Sequence, residues 1–270
     1  MINTYTALLE LGVTAGYIKA SGIPSDHPHR ALFARLESNA QNDIAAALDV
    51  LRRDTFRGVK KDNPHQALVN LRSQETNERL RQALYVALLP TLNAASALAI
   101  KELERQVLGV KAITDFGFNW ELVNEKAREW LKKHTFGLTY ANVYSITETT
   151  AKGLQSAIDD FITSPDMTMP QLTDRVAGLF DVIRAEMIAV TEVTRSFAEA
   201  NRVMWQESGV VSGKRWQTAS DEIVCPICAP LNGRVAALGE SFPGFIESPP
   251  AHPRCRCWLT PVVDVDEVAS

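Results

Sequence analysis

The first 224 residues of the 270-residue chain contain no cysteine, and all four cysteines fall between 225 and 257. That distribution excludes a disulfide framework stapling the whole fold. A polybasic run is missing too. The formal charge is −4, and residues 1–110, 111–213 and 214–270 are each close to balanced, so a non-specific grip on nucleic acid is not advertised. The N-terminal MINTYTALLELGVTAGY lacks the basic segment, apolar core and small-residue cleavage site of a secretory signal, and reads as mature, intracellular sequence. The most apolar stretch, 83–100, is interrupted by Pro90, Asn93 and Ser96. It makes a poor membrane span and a better buried helix pair, so a soluble protein without a membrane span is expected. Neither a phosphate-binding glycine loop nor a serine-centred nucleophile motif is present.

What the chain does have is 46% hydrophobic composition with 22% charge, enough to bury one large core or two smaller ones. Most of residues 30–208 reads as helix. Leu68, Leu71, Leu80, Leu84 and Leu88, then Leu92, Ala95, Leu98 and Leu103, recur at helical spacing, and Pro90 predicts a break between two helices near Thr91. Asn119 is placed to cap a helix carrying Trp120, Val123, Ala127, Trp130 and Leu131. A helix from about Thr139 shows Val143, Ile146, Leu154, Ile158 and Phe161 and stops before Pro165. Another starts around Pro170, with Leu172, Val176, Leu179 and Ile183 on one face. The run Arg184–Ser208 predicts a long helix ended by Gly209. On it Glu192 and Arg195, and Glu199 and Arg202, read as an exposed or semi-buried ion-pair ladder.

Beyond Gly213 the pattern changes. Lys214–Ala219 alternates like a short strand, and glycines and prolines punctuate the rest. Such a segment has too few apolar side chains for a core of its own and needs a staple. The expected fold is therefore mainly α, a helical body with a small C-terminal α+β or irregular module. The expected division is 1–113 as an N-terminal helical region of unknown function, 114–213 as a helical part, 214–262 as the module and 263–270 as a tail.

The staple is written as Cys225-Pro-Ile-Cys228, twenty-three residues, then His252-Pro-Arg-Cys255-Arg-Cys257. Zinc prefers four thiolate and imidazole ligands in a tetrahedron, and a two-residue spacer lets both sulfurs of a knuckle reach one ion. Five candidates compete for four places. Cys225, Cys228 and Cys257 with either His252 or Cys255 are favoured, because Cys255 and Cys257 would face opposite ways on an extended backbone. A redox CxxC pair or a disulfide is the competing reading, but it leaves the second cluster unexplained. A complete ligand set leaves no open position for water, so the zinc is read as structural and no enzyme is expected. A metal-dependent hydrolase or nuclease would need Asp221, Glu222 or His252 as acid or base. A zinc-dependent nucleic-acid-binding protein is the other alternative, although residues 214–262 carry only five basic against four acidic groups. The five tryptophans read as core or edge residues, and His27, His29, His65 and His134 show no ligand spacing.

The residues Trp216–Gln217–Thr218, Asp221, Val224 through Cys228, Leu231–Asn232–Gly233 and Pro249 through Cys257 together resemble the signature of the phage head morphogenesis family, the Mu F-like minor head proteins. The helix from Thr191–Glu192 through Arg195 to Asn201–Arg202 is similar to the stretch that leads into that signature. The resemblance spans roughly 115–262 and leaves 1–110 without a match. It implies a low-copy virion protein of the head or portal region, present in the host cytoplasm during assembly. Its implied partners are the portal or major capsid protein, with contact to packaged DNA and no small-molecule substrate. Its implied work is capsid assembly and DNA packaging or delivery through protein–protein contacts. Members of the family also occur joined to toxin domains; here the motif lies close to the C-terminus and no effector is expected.

Overall fold

The computed structural model describes residues 26–106, 119–141, 145–164, 166–219 and 224–263. Helix α1 spans Arg30–Thr55, α2 Gln66–Leu71, α3 Gln74–Gln106, α4 Trp120–Phe136, α5 Ile146–Thr163, α6 Met169–Arg175 and α7 Val182–Ser208. Three strands follow, β1 Val211–Gln217, β2 Val235–Ala237 and β3 Trp258–Val263, in one antiparallel sheet of order β2-β1-β3. The fold is thus mainly α with a small C-terminal strand and irregular region, as the composition and periodicity predict.

The helices begin where side chains satisfy their free N–H groups. Asn119 Oδ1 accepts from Leu122 N at 3.2 Å, Ser145 Oγ from Glu148 N at 3.1 Å, and Asp181 Oδ1 from Arg184 N at 2.8 Å. Thr168 and Gln171 form a reciprocal capping box ahead of α6, with Pro170 in its first turn. At the other end of α7, Gly209 takes a φ of +68°, the left-handed turn that stops a helix there.

Several boundaries differ from the sequence-based expectation. Pro90 lies inside one continuous helix, α3, rather than between two. A proline costs a helix one backbone hydrogen bond, but Leu84, Leu88, Leu92, Ala95 and Leu103 form an uninterrupted buried stripe on both sides of it. That packing outweighs the local preference for a break. α3 is long and apolar enough to cross a membrane by length and composition alone, yet this stripe is the mark of a core helix. The helix expected from Thr139 begins instead at Ile146, after a π-helical turn at Gly137–Ala141; Val143 lies outside the described residues. The pattern from Pro170 to Ile183 divides, because α6 ends at Arg175, Ala177–Leu179 forms a 3₁₀ turn, and Ile183 belongs to α7.

The chain forms two compact units. One takes its described residues from Ser38–Ala87 and Trp130–Ala189. Its core holds Leu48, Leu51, Leu71, Leu131, Leu154 and Ile158. Polar ties surround it: Arg72 reaches both oxygens of Glu148 at 3.1 and 3.0 Å, and Thr147 Oγ1 donates to Asn77 Oδ1 at 2.6 Å. Arg184 donates to Thr150 Oγ1 at 2.8 Å, Thr149 Oγ1 at 2.9 Å and the carbonyls of Ile146 and Leu179.

The other unit takes its described residues from Met1–Glu37, Leu88–Glu129 and Val190–Ser270. Its core joins Leu103, Val123, Met204, Trp205, Trp216, Leu231, Phe242 and Leu259 to all four cysteines. Trp216, next to the last residue of β1 and opposite Leu259, meets Phe242 edge-on at 5.3 Å between ring centroids. The backbone of β2 approaches β1 so closely that a Cβ on Gly213 would stand 3.0 Å from the Ala236 carbonyl, which favours glycine there. Lys214 is buried between these strands and donates from Nζ to the Glu247 carbonyl at 2.8 Å.

Candidate metal centre

The knuckle is a turn. The carbonyl of Cys225 accepts from Cys228 N at 3.1 Å and Ala229 N at 3.0 Å, and Cys228 N also donates to Cys225 Sγ at 3.3 Å. A 3₁₀ turn, Ala229–Leu231, carries the chain on to Gly233, whose N–H donates to the Trp216 carbonyl at 2.8 Å. Asn232 Oδ1 accepts from Thr218 N at 3.0 Å. The Leu231–Asn232–Gly233 triplet therefore works as the fastener that holds the knuckle against the end of β1.

The second cluster is a turn as well. Cys255 N donates to the His252 carbonyl at 3.1 Å, and Arg254 takes a φ of +56°. Helix α7 grips this turn at two points. Thr191 Oγ1 accepts from Arg254 N at 3.0 Å, and Thr194 Oγ1 donates to the Cys255 carbonyl at 3.3 Å. β3 starts only at Trp258, so Cys255 and Cys257 lie ahead of the strand rather than in it. The two sulfurs do not diverge, and both lie within 4.8 Å of Cys228 Sγ.

All five predicted residues converge. Cys225, Cys228 and His252 place their ligand atoms within 4.8 Å of one another, as do Cys228, Cys255 and Cys257, with Cys228 common to both groups. Cys228 Sγ and Cys255 Sγ are 3.8 Å apart. Two sulfurs bound to one tetrahedral ion at Zn–S distances of about 2.3 Å stand about 3.8 Å apart. Cys225 Sγ is 3.0 Å from His252 Nε2, a direct thiol–imidazole hydrogen bond. The donor chemistry and the spacing both suit a metal ion, and this cluster could hold one.

The electrostatics point the same way. The hydrogen bond from Cys228, and after it His252, pulls the Cys225 thiol down to about 4 against the opposing effect of burial. Burial disfavours a charged His252, but the sulfurs of Cys225 and Cys255 overcome it and raise the imidazole to about 10. Burial likewise opposes ionisation of Cys255, and contacts with Cys228, Cys257 and His252 draw it well below the usual thiol range. Cys228 goes the other way, pushed above the usual thiol range by its hydrogen bonds with Cys225 and Cys255, and Cys257 is raised too, so Cys225 and Cys255 are the two sites that favour thiolates, beside a protonated His252.

Other sequence candidates fall differently. Asp221 and Glu222 lie outside the described residues. Arg254 and Arg256 are half-buried and engaged with neighbours rather than presented as a basic face. The Glu192–Arg195 and Glu199–Arg202 pairs exist, at 3.5 and 2.9 Å, and both carboxylates are buried. Thr191 enters the sequence reading only within the family-like stretch, and Thr194 not at all. Two threonines three residues apart on a helix are no signal until the turn they grip is located.

Comparison with known proteins agrees with this geometry. Residues 152–260 match the family described as Phage Mu protein F like protein, a segment that includes α7, the knuckle and the His252–Cys257 turn. No curated protein and no solved structure matches the chain. Over residues 152–260 the chain is similar to the Mu F-like, phage head morphogenesis family.

Proposed function

We propose that this is a minor head protein of a phage or prophage, acting in capsid assembly and in DNA packaging or delivery through contacts with the portal or major capsid protein. The observation that carries the reading is the family match across residues 152–260, which coincides with the metal-competent cluster. In this reading the cluster holds one structural zinc, with ligands drawn from Cys225, Cys228, His252, Cys255 and Cys257. Residues 114–213 form the helical part of the head domain, 214–262 its zinc module, 1–113 a separate helical region and 263–270 a tail. The protein is made in the host cytoplasm and resides in the virion, in the head or portal region.

The zinc would supply cohesion rather than chemistry. Bound by four protein ligands it offers no open position for a substrate, and the family is one of structural head proteins. Burial of the cysteine sulfurs among Trp216, Phe242 and Leu259 supports the same role. The test is incorporation. Heads assembled with a Cys225→Ser/Cys228→Ser double variant should lack the protein, and portal or capsid protein should no longer co-purify with it. Normal heads containing the variant would overturn the structural-zinc reading. Wild-type protein that never enters heads would overturn the assignment itself.

A further inference from the structure

Between β2 and the His252 turn the chain makes a tight loop whose feet are fixed and whose tip is not used by the fold. Phe242 and Ile246 pair as an antiparallel bridge, with Phe242 N donating to the Ile246 carbonyl at 2.8 Å, and Pro243, Gly244 and Phe245 turn the chain between them. Phe242 is 2% exposed and meets Trp216 edge-on. Lys214 Nζ holds the Glu247 carbonyl on the far side, and Pro249 and Pro250 are buried as the chain runs on. Phe245, at the tip, is 94% exposed, the most exposed large hydrophobic side chain among the described residues.

Two costs meet at that residue. Gly244 takes a φ of +83° and Phe245 a φ of +60°, so two successive residues occupy the left-handed region. Glycine enters it freely, whereas a bulky side chain does so at a steric cost that glycine or asparagine avoids. The ring placed in this way gains no burial in return. A turn chosen for folding alone calls for Gly, Asn or Asp; a phenylalanine held out on an anchored stem is arranged to be covered by something else. Charge restricts what covers it. From Val235 to Pro253 there is no lysine or arginine, and the two carboxylates, Glu240 and Glu247, are exposed on either side of the tip. The cations that act on Glu247 do not present themselves at the surface: Lys214 is buried, and Arg202 is half-buried and paired with Glu199. Nucleic acid and anionic membranes present phosphates, which need cations to meet them. A protein pocket fits instead, because aromatic side chains anchor protein interfaces by filling an apolar pocket inside a polar rim, and two flanking carboxylates match a rim that carries Lys or Arg.

Resting on the head-protein reading above, we propose that Phe245 is a docking anchor, seated in an apolar, basic-rimmed pocket of a neighbouring head protein. The probes are purified portal protein and purified major capsid protein of the same head, each titrated against the full-length protein. Phe245→Asn keeps the left-handed turn at lower steric cost, so its thermal midpoint should equal or exceed that of wild type. Its affinity for the partner should fall by about thirtyfold or more, the loss typical of an interface anchor. Wild-type affinity should weaken as salt rises, because the flanking carboxylates meet a basic rim. Binding that Phe245→Asn leaves unchanged, or a midpoint lowered by that substitution, overturns the anchor, and binding indifferent to salt overturns the basic rim. Wild type that binds neither protein overturns the head-protein reading and takes this proposal with it.

Discussion

Replacing Thr194 by valine removes one hydroxyl and preserves the shape of a buried side chain. In the native arrangement that hydroxyl donates to the Cys255 carbonyl at 3.3 Å. The distance is long for an O–H···O bond, so its loss falls toward the low end of the roughly 1–3 kcal/mol expected when a buried carbonyl is left unpaired. The bond fixes the backbone of a residue whose sulfur stands 3.8 Å from Cys228. It is therefore made in the metal-ready form of the turn, whereas a metal-free turn has freedom to relax. The loss should then appear mainly as weaker metal binding, about fivefold for 1 kcal/mol and no more than about a hundredfold, the range typical of groups that orient metal ligands. Competition for zinc against a chromogenic chelator reads the affinity directly. Thr194→Ser keeps the hydroxyl and should restore most of it. If Thr194→Val and wild type bind zinc within twofold of each other while Cys225→Ser binds far less, the grip of α7 on the turn is incidental. If Cys225→Ser is no different from wild type, the fault lies with the zinc reading.

Two further outcomes follow from the packing. Arg184→Met keeps the aliphatic stem but strips the donors that serve Thr149, Thr150 and the carbonyls of Ile146 and Leu179; denaturant titration should show a loss of about 2–4 kcal/mol, and a loss below about 1 kcal/mol would show that water replaces the guanidinium without cost. His27 has a folded pKa of about 4, below its unfolded value of 6.5, so the unfolded chain binds the extra proton first as pH falls. The stability that His27 contributes is complete above about pH 6.5 and is lost toward pH 4, up to about 3 kcal/mol. A His27→Gln variant should lack that part of the acid slope when midpoints are compared across this window, and parallel curves would refute it.

The legible and illegible parts of this chain divide by the range of the interaction that decides them. Leu84, Leu88, Leu92 and Ala95 announce a buried stripe because helical periodicity is local, and Asn119 announces a cap for the same reason. The same local reading misplaces a break at Pro90, since continuation is decided by what packs against the helix on either side of the proline. Spacing alone brings Cys225, Cys228, His252, Cys255 and Cys257 into one candidate cluster. It does not show that Cys255 and Cys257 both come within 4.8 Å of Cys228, in a turn whose left-handed Arg254 is a conformation no glycine advertises. Thr191 and Thr194 are less legible still. Their partners, Arg254 and Cys255, are far away in sequence.

The cysteines and the apolar core of their unit are one structure, and this makes metal removal more than a local event. Cys228 and Cys255 are almost fully buried in the cluster that contains Met204 and Trp205 of α7 and Trp216 of β1. Neutral thiols could sit there as small hydrophobic groups. His252, however, is 3.0 Å from Cys225, and the contacts around Cys225 and Cys255 favour thiolates. Without a metal these two sulfurs share a single counter-charge, the His252 imidazolium, in an apolar interior, where an ion left unpaired costs several kcal/mol. Opening to water relieves that cost while the sulfurs stay ionised. Chelation should therefore remove hydrogen-exchange protection from residues 198–205 of α7 and 211–217 of β1 together with the knuckle, as one cooperative opening. If exchange accelerates only at 224–231 and 252–257 while Met204, Trp205 and Trp216 keep their protection, the metal fastens a surface turn and the aromatic core stands without it.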